Sequence, residues 1–190
     1  MSAFKPALPW GRATVIESVV ATLAAAPLAE IIVVTGHGAE KIQELLAAAP
    51  ARCVSNPAYE TGGMLSSIQT GLAAVANYQE EGSAQTVEAV LLCLGDQPQM
   101  ELATVESVLA EGARLDWQKA VIPSYQMRAG HPILLPVSLW PQIMNTTDSL
   151  RAVLRTRADL LAYLPIATAT ILADLDTPED YAAATTLHGD

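Results

Sequence analysis

The residues best suited to chemistry follow two apolar segments that have the length of strands. Asp96 follows the apolar run 89–94 and stands in the turn Gly95-Asp96-Gln97-Pro98. Asp174 and Asp176 end the last extended segment, and their i, i+2 spacing places both carboxylates on one side of an extended chain. Hard cations such as Mg²⁺ prefer carboxylate oxygens as ligands. The sequence therefore predicts a divalent-cation site at these aspartates, with Asp96 as its best single candidate.

Each aspartate also has an ordinary structural interpretation. Asp96 is suited to starting a turn or to capping the helix expected near 101–113. Asp176 or Thr177 is suited to capping the terminal helix, with Pro178 at its first position. Both interpretations stay open, because one residue can cap a helix while its neighbour binds a metal ion.

A glycine-rich turn precedes two hydroxyl side chains at a predicted helix start. Gly62 and Gly63 are followed by Ser66 and Ser67. Glycines let a ligand approach the backbone, and helix N-termini present N–H groups to anions. We therefore expect a nucleobase or a phosphate here, although helix capping explains the serines equally well.

The segment Gly130-His131-Pro132, with Arg128 just upstream, offers cationic and hydrogen-bonding groups to an anionic substrate. A histidine in a loop is also commonly structural, and that alternative stays open. The serines, cysteines and histidines form no grouping typical of a nucleophilic triad. Covalent catalysis is therefore not predicted.

Helical and strand patterns alternate along the chain, which predicts an α/β fold with a mostly parallel sheet between two helical layers. Such sheets bind ligands beyond the carboxyl ends of their strands, where Asp96 would lie. The predicted helices span 14–25, 64–76, 101–113, 137–144 and 149–162; another follows Gly38 to about Ala48, and Pro178 opens a terminal helix. The predicted extended segments span 30–35, 52–55, 89–94, 120–123, 133–135 and 166–173, and a polar surface loop is predicted for 77–88.

Composition restricts the function classes. The 190 residues are enough for one domain with a full core. Ten basic residues against twenty acidic ones give a net charge of −10, which argues against general nucleic-acid binding. The sequence has neither a membrane-span pattern nor a secretory signal pattern, so we expect a cytoplasmic protein. Cys53 and Cys93 lie in apolar runs and are predicted to be buried free thiols.

In this order, the motifs resemble those of the MobA-like nucleotidyltransferases, most closely the molybdenum-cofactor (molybdopterin) cytidylyltransferases. The resemblance runs over nearly the whole chain and implies a Rossmann-like sheet of the nucleotide-diphospho-sugar transferase type. The matching segments are Lys5-Pro-Ala-Leu-Pro, Val34-Thr-Gly, Asn56-Pro-x-Tyr-x-x-Gly62-x-Met-x-Ser66-Ser67, Leu94-Gly-Asp96-Gln-Pro98, Gly130-His131-Pro132 and Asp174-x-Asp176-Thr-Pro-Glu-Asp-Tyr181.

The resemblance implies a role for each group of residues. Lys5 and Asp96 are implied to be catalytic, Lys5 as the contact to the triphosphate. Asp96 and Asp174 are implied to bind Mg²⁺, with Asp176 as the alternative partner. The implied nucleotide pocket contains Asn56, Gly62, Gly63, Ser66 and Ser67. Arg128 and His131 are implied to receive the second substrate.

The implied reaction joins the nucleoside monophosphate of an NTP, with CTP favoured, to a phosphorylated acceptor such as molybdopterin, and it releases pyrophosphate. Two alternatives remain at this stage. One is a non-catalytic nucleotide-binding or regulatory member. The other is a nucleotidyltransferase for a sugar phosphate or another cofactor precursor.

The chain departs from the family pattern at its N-terminus. Family members begin with a strand and a glycine-rich loop before the lysine, whereas this sequence begins Met1-Ser2-Ala3-Phe4-Lys5. The single domain 1–190 therefore appears N-terminally truncated relative to the family. The favoured hypothesis is that Met1 is an internal methionine of a longer natural chain. The competing hypothesis is a genuine truncation that impairs or abolishes activity.

Overall fold

The computed structural model describes residues 4–80, 86–173, 175 and 177–188. Its helices and strands alternate for most of the chain, as the sequence predicts. The α-helices are α1 (Val15–Ala24), α2 (Ala39–Leu45), α3 (Gly63–Glu80), α4 (Leu102–Arg114), α5 (Trp140–Asn145), α6 (Leu150–Thr156) and α7 (Pro178–His188). The strands are β1 (Pro9–Trp10), β2 (Ala13–Thr14), β3 (Ile32–Thr35), β4 (Arg52–Ser55), β5 (Ala89–Leu92), β6 (Ala120–Tyr125), β7 (Arg128–Ala129), β8 (Ile133–Pro136) and β9 (Leu161–Pro165).

The central strands form two sheets. In one, β3 pairs in parallel with β4. In the other, β8 lies between β5 and β6 and is antiparallel to both, while β9 pairs with β6 in parallel. Helix α3 returns the chain after β4, so β5 runs in the same direction as β3 and β4. Strands β3, β4, β5, β6 and β9 therefore share one direction, whereas β7 and β8 run the opposite way, and β1 and β2 form a separate antiparallel pair.

Two hydrophobic clusters pack on opposite faces of these strands. One contains buried residues of α1, α2 and α4 and is packed against Val33 and Leu91. The other contains buried residues of α3, α5 and α6 and is packed against Val90 and Leu92. Successive side chains of a strand point to opposite faces, so this alternation along β5 places a helical layer on each side. The predicted three-layer α/β architecture is confirmed.

Three local predictions were wrong. Helix α3 continues to Glu80, so residues 77–80 are helical rather than loop. The segment 149–162 contains α6, a 3₁₀ helix (Ala158–Leu160) and the start of β9 instead of one helix. The segment 166–173 contains a 3₁₀ helix (Ala169–Leu172) rather than a strand. Short apolar runs fit helix and strand equally well by periodicity, which explains the second error.

Both cysteines are free, as predicted, but both are half-buried rather than buried. Burial raises the pKa of the Cys93 thiol to about 12 and raises that of Cys53 as well. Among the described helices, none combines the length and the apolarity that crossing a membrane would require.

Helix α1 begins with a capping box that the sequence predicts. The Thr14 backbone N–H donates to Glu17 Oε2 at 2.8 Å, and the Glu17 N–H donates to Thr14 Oγ1 at 3.5 Å. We expect Thr14→Ala to lower the free energy of unfolding by about 1 kcal/mol, because it leaves one N-terminal donor without its acceptor. Urea denaturation measures this, and the exposed Thr147→Ala is the control. Equal stability of the two variants would contradict the cap.

Candidate functional site

Lys5 and Asp96 form an ion pair where β5 ends. Lys5 Nζ lies 3.9 Å from Asp96 Oδ2, and the two side chains are 25% and 31% exposed. The N-cap residue of α4 is Glu101, so Asp96 does not cap this helix. The two residues predicted to be catalytic are therefore neighbours at a partly open position beyond the strand.

Phe4 holds the segment that carries Lys5. A Cβ added to Gly38 would lie 2.7 Å from Phe4 Cζ, so the ring occupies the space that any larger residue would need. Gly38 also has a φ of +69°, which favours glycine. The Phe4 ring packs edge-on against His37, with 6.1 Å between ring centroids. Residues 4 and 5 thus connect the carboxyl ends of β3 and β5.

Gln99 joins the Asp96 turn to the segment that precedes Asp174. Its Nε2 donates to the Ala173 carbonyl at 2.6 Å, and its side chain is buried. Leu175 is 1% exposed and packs with Trp10 and Val15. Asp174 and Asp176 lie outside the described residues. The structure therefore brings together the segments that carry the predicted metal ligands, through a glutamine that the sequence analysis missed.

Thr177, rather than an aspartate, caps α7. Its Oγ1 accepts from the Asp180 N–H at 3.1 Å, and Asp180 Oδ2 accepts from the Thr177 N–H at 2.9 Å. The hydrogen bonds from Thr177 lower the pKa of Asp180, and the charge of Lys5 lowers it further. Lys5 therefore acts electrostatically on two carboxylates, Asp96 and Asp180. The sequence analysis did not single out Asp180.

Asn56 is a buried residue that supports the predicted nucleotide pocket through internal hydrogen bonds. This residue follows β4 and is 1% exposed. Its Nδ2 donates to Ser66 Oγ at 2.8 Å and to Ser67 Oγ at 3.0 Å, while its Oδ1 accepts from the Ala58 N–H at 2.9 Å. The amide thereby fixes both hydroxyls in the first turns of α3. Asn56 therefore orients the Ser66 and Ser67 hydroxyls without being exposed itself.

The two glycines before these serines have different reasons to be glycine. A Cβ on Gly62 would lie 2.5 Å from Ser66 Oγ, which leaves no room for a side chain. Gly63 has space around it, but its φ of +56° lies in the left-handed region. The predicted cluster of Asn56, glycines and serines is therefore one packed unit at the start of α3.

His131 and Arg128 lie beyond the same edge of the strands. Leu92 pairs with Ile133 in the antiparallel β5–β8 ladder, so residues just before Ile133 lie beside those just after Leu92. The His131 N–H donates to the Ile171 carbonyl at 3.1 Å. Arg128 is exposed and pairs with Tyr125 in a hairpin beyond β6. His131 is thus placed towards the Asp96 turn, and Arg128 lies farther along the edge.

Within the part of the chain that the structure describes, no group of three histidine, cysteine or acidic side chains is placed to bind a metal ion. Asp96 is the predicted metal ligand that this part of the chain contains.

The comparison with protein families identifies the family of the chain. The model of the MobA-like NTP transferase domain matches residues 1–161. The chain belongs to this family. For this MobA-like chain, the match includes Lys5, Asn56, Asp96 and His131, while Asp174 and Asp176 lie beyond its end. No curated protein matches the sequence.

Solved structures similar to the MobA-like chain support its fold. Rv0371c of Mycobacterium tuberculosis, in complex with manganese, has a TM-score of 0.79 at 18% identity, covering 97% of this chain and 93% of that one. Molybdopterin-guanine dinucleotide biosynthesis protein A from Archaeoglobus fulgidus gives 0.67 at 13%, covering 98% and 91%. The 4-diphosphocytidyl-2C-methyl-D-erythritol synthase from Anaerococcus prevotii gives 0.72 at 16%, covering 95% and 88%.

Proposed function

We propose that this member of the family transfers a nucleotidyl group from a nucleoside triphosphate, with CTP favoured, to a phosphorylated acceptor of the molybdopterin type. The Lys5–Asp96 pair at the carboxyl edge is the observation that carries the proposal. An oxygen of the acceptor phosphate forms a bond to the α-phosphorus of the triphosphate. The bond from that phosphorus to the oxygen leading to the β-phosphate breaks, and pyrophosphate leaves. No protein nucleophile is required, in agreement with the lack of a predicted triad.

The protein contributes mainly by positioning and by fixed charge, as in other phosphoryl-type transfers. Lys5 is one quarter exposed, so its ammonium is accessible to a triphosphate without being fully hydrated. In the described state it is balanced by Asp96. We expect the triphosphate to take over the Lys5 contact and leave the Asp96 carboxylate to a cation.

Of the predicted metal ligands, the described residues include Asp96, whose carboxylate is of the kind that a hard divalent cation prefers. The Asp96 carboxylate is part-exposed at the edge, and Gln99 holds its turn next to Ala173. We propose that Asp96 and Asp174, with Asp176 as the alternative partner, hold Mg²⁺. When bound, Mg²⁺ supplies neutralisation of phosphate charge.

The remaining predicted residues divide between the two substrates. The packed unit of Asn56, Gly62, Gly63, Ser66 and Ser67 is proposed to receive the nucleotide, with the hydroxyls oriented by Asn56. His131 and Arg128 are proposed to receive the anionic acceptor, because they supply donors and positive charge along the same edge. CTP and molybdopterin are the preferences that the family resemblance implies.

Pyrophosphate release tests the proposal. The protein is incubated with Mg²⁺, molybdopterin and each of the four nucleoside triphosphates in turn. We expect release with CTP that requires both the acceptor and Mg²⁺. Pyrophosphate release with a sugar phosphate or another precursor, and none with molybdopterin, would identify that compound as the acceptor. Nucleotide binding without release under any of these conditions would favour the non-catalytic alternative.

Lys5→Gln should reduce the rate about a hundredfold, because the variant loses a fixed cation beside the phosphates. Lys5→Arg keeps the charge and should retain more activity. Lys41→Gln is the matched control, since Lys41 is an exposed lysine on α2 that pairs with Glu44. Initial rates of pyrophosphate release at saturating substrates measure the effect. If Lys5→Gln released pyrophosphate as fast as the control, Lys5 would have no role in the reaction.

Asp174→Asn and Asp176→Asn should differ in their Mg²⁺ requirement. We expect Asp174→Asn to raise the Mg²⁺ concentration needed for half-maximal rate by about 10–100-fold, the usual cost of a weakened ligand set. Asp176→Asn should change it less. A Mg²⁺ titration of pyrophosphate release distinguishes them, and the reverse order would make Asp176 the ligand.

A further inference from the structure

Tyr181 connects helix α7 to the segment that carries Lys5. Its hydroxyl donates a hydrogen bond to the Pro9 carbonyl in β1, across 172 positions of sequence. Tyr181 also packs against a hydrophobic cluster whose buried members are Trp10, Val15 and Leu175. A hydrogen bond and an apolar contact therefore hold β1 against α7. No step of the proposed reaction uses Tyr181.

The backbone between Lys5 and Pro9 has little conformational freedom. The Leu8 N–H donates to the Lys5 carbonyl at 3.1 Å and closes a 3₁₀ turn. The Leu8 carbonyl accepts from the N–H of the first residue of α1 at 2.9 Å. The rings of Pro6 and Pro9 restrict φ at two further positions. A contact that fixes Pro9 therefore also fixes the backbone of residues 5–8, which we call the Lys5 turn.

The ion pair with Asp96 does not by itself fix the Lys5 ammonium. Lys5 Nζ and Asp96 Oδ2 are 3.9 Å apart, and both side chains are part-exposed. Exposed pairs of this kind are screened by water and contribute little. Hydrogen bonds from Thr177 lower the pKa of Asp180, and the charge of Lys5 lowers it further, so the ammonium lies near the first turn of α7. The position of Lys5 therefore depends on the backbone that carries it.

We propose that Tyr181 is a positioning residue for Lys5, whose turn it holds at the carboxyl edge through the Pro9 carbonyl. This role rests on the proposed function, in which Lys5 contacts the triphosphate. Tyr181 itself touches no reacting atom. A tyrosine that only anchored α7 would stabilise that helix and leave the Lys5 turn unchanged.

Hydrogen exchange of the Leu8 amide tests whether Tyr181 holds the Lys5 turn. Tyr181→Phe keeps the ring and removes the hydroxyl. We expect the Leu8 amide to exchange about fivefold faster in this variant, because one hydrogen bond that opposes local opening is lost. Tyr163→Phe is the matched control, since Tyr163 is an exposed tyrosine on β9, and it should leave the exchange unchanged. Equal exchange of Leu8 in the two variants would overturn the proposal.

A double variant tests whether Tyr181 acts through Lys5. Tyr181→Phe should lower the rate of pyrophosphate release about tenfold, because a misplaced charge stabilises the transition state less. Combined with Lys5→Gln it should lower the rate no further than Lys5→Gln alone, since both changes affect one interaction. An unchanged rate in Tyr181→Phe, or a further tenfold loss in the double variant, would overturn the role. If the unchanged protein released no pyrophosphate, the proposed reaction would be wrong, and Leu8 exchange would still decide whether Tyr181 holds the turn.

Discussion

Asp96→Asn is expected to lower the rate of pyrophosphate release about a thousandfold while the protein remains folded. Asparagine has nearly the same shape but lacks the charge that a cation requires. Asp96 lies beyond β5 and is 31% exposed, so the substitution removes little packing. Initial rates at saturating Mg²⁺ and substrates measure the effect, and thermal unfolding establishes that the variant is folded.

Asp148→Asn is the matched control, because Asp148 is an exposed aspartate between α5 and α6. Its rate should equal that of the unchanged protein. If Asp96→Asn released pyrophosphate at the wild-type rate, Asp96 would not be a catalytic residue. An unfolded Asp96→Asn variant would instead assign this residue a role in stabilising the turn.

Asn56→Ala is expected to lower the free energy of unfolding by about 3 kcal/mol. The substitution removes three hydrogen bonds at a 1% exposed position, including the one in which Asn56 Oδ1 accepts from the Ala58 N–H. A net contribution of about 1 kcal/mol for each bond gives this magnitude. The corresponding decrease in melting temperature is about 6–12 °C. Urea denaturation measures the free energy directly.

Ser67→Ala is the control for Asn56, because it removes one of these bonds and should cost about 1 kcal/mol. A stable Asn56→Ala variant with weakened nucleotide binding would mean that the amide contacts the nucleotide itself. That result would contradict the role of Asn56 as an internal support for Ser66 and Ser67.

Much of the fold follows from local chemistry that the sequence contains. Residues 52–55 form β4 as predicted, because a short segment with Cys53 and Val54 at its centre ends at Asn56-Pro57. The Thr14–Glu17 box fixes the start of α1. The first two residues of β9, Leu161 and Ala162, were predicted to be helical, because the pairing of β9 with β6 is a long-range contact that local periodicity does not contain.

Some residues of the candidate site could likewise be predicted from the sequence, and others could not. Asp96 and Lys5 stand in recognisable motifs, and the structure places them together. Gln99 has no such signal, and Asp180 stands in the last motif without being singled out, because the contacts of both with other parts of the site depend on segments distant in sequence. Gln99 reaches Ala173 across the turn, and Asp180 is affected by the charge of Lys5. The burial of the Gln99 side chain is visible in the structure, but nothing in the sequence distinguishes this glutamine from an exposed one.

Because β8 runs opposite to β5 and β6, the carboxyl edge of those two strands also carries the segment that leads into β8. The antiparallel neighbours of β8, β5 and β6, supply this edge with the segments that follow them, whereas β8 supplies it with the segment that precedes it, residues 126–131, which includes β7. That loop belongs to an antiparallel connection from β6, so it can lengthen without any crossover helix having to move. We therefore expect the proposed acceptor to change with the length and sequence of residues 126–131, while Lys5, Asp96 and the Asn56 unit keep their places.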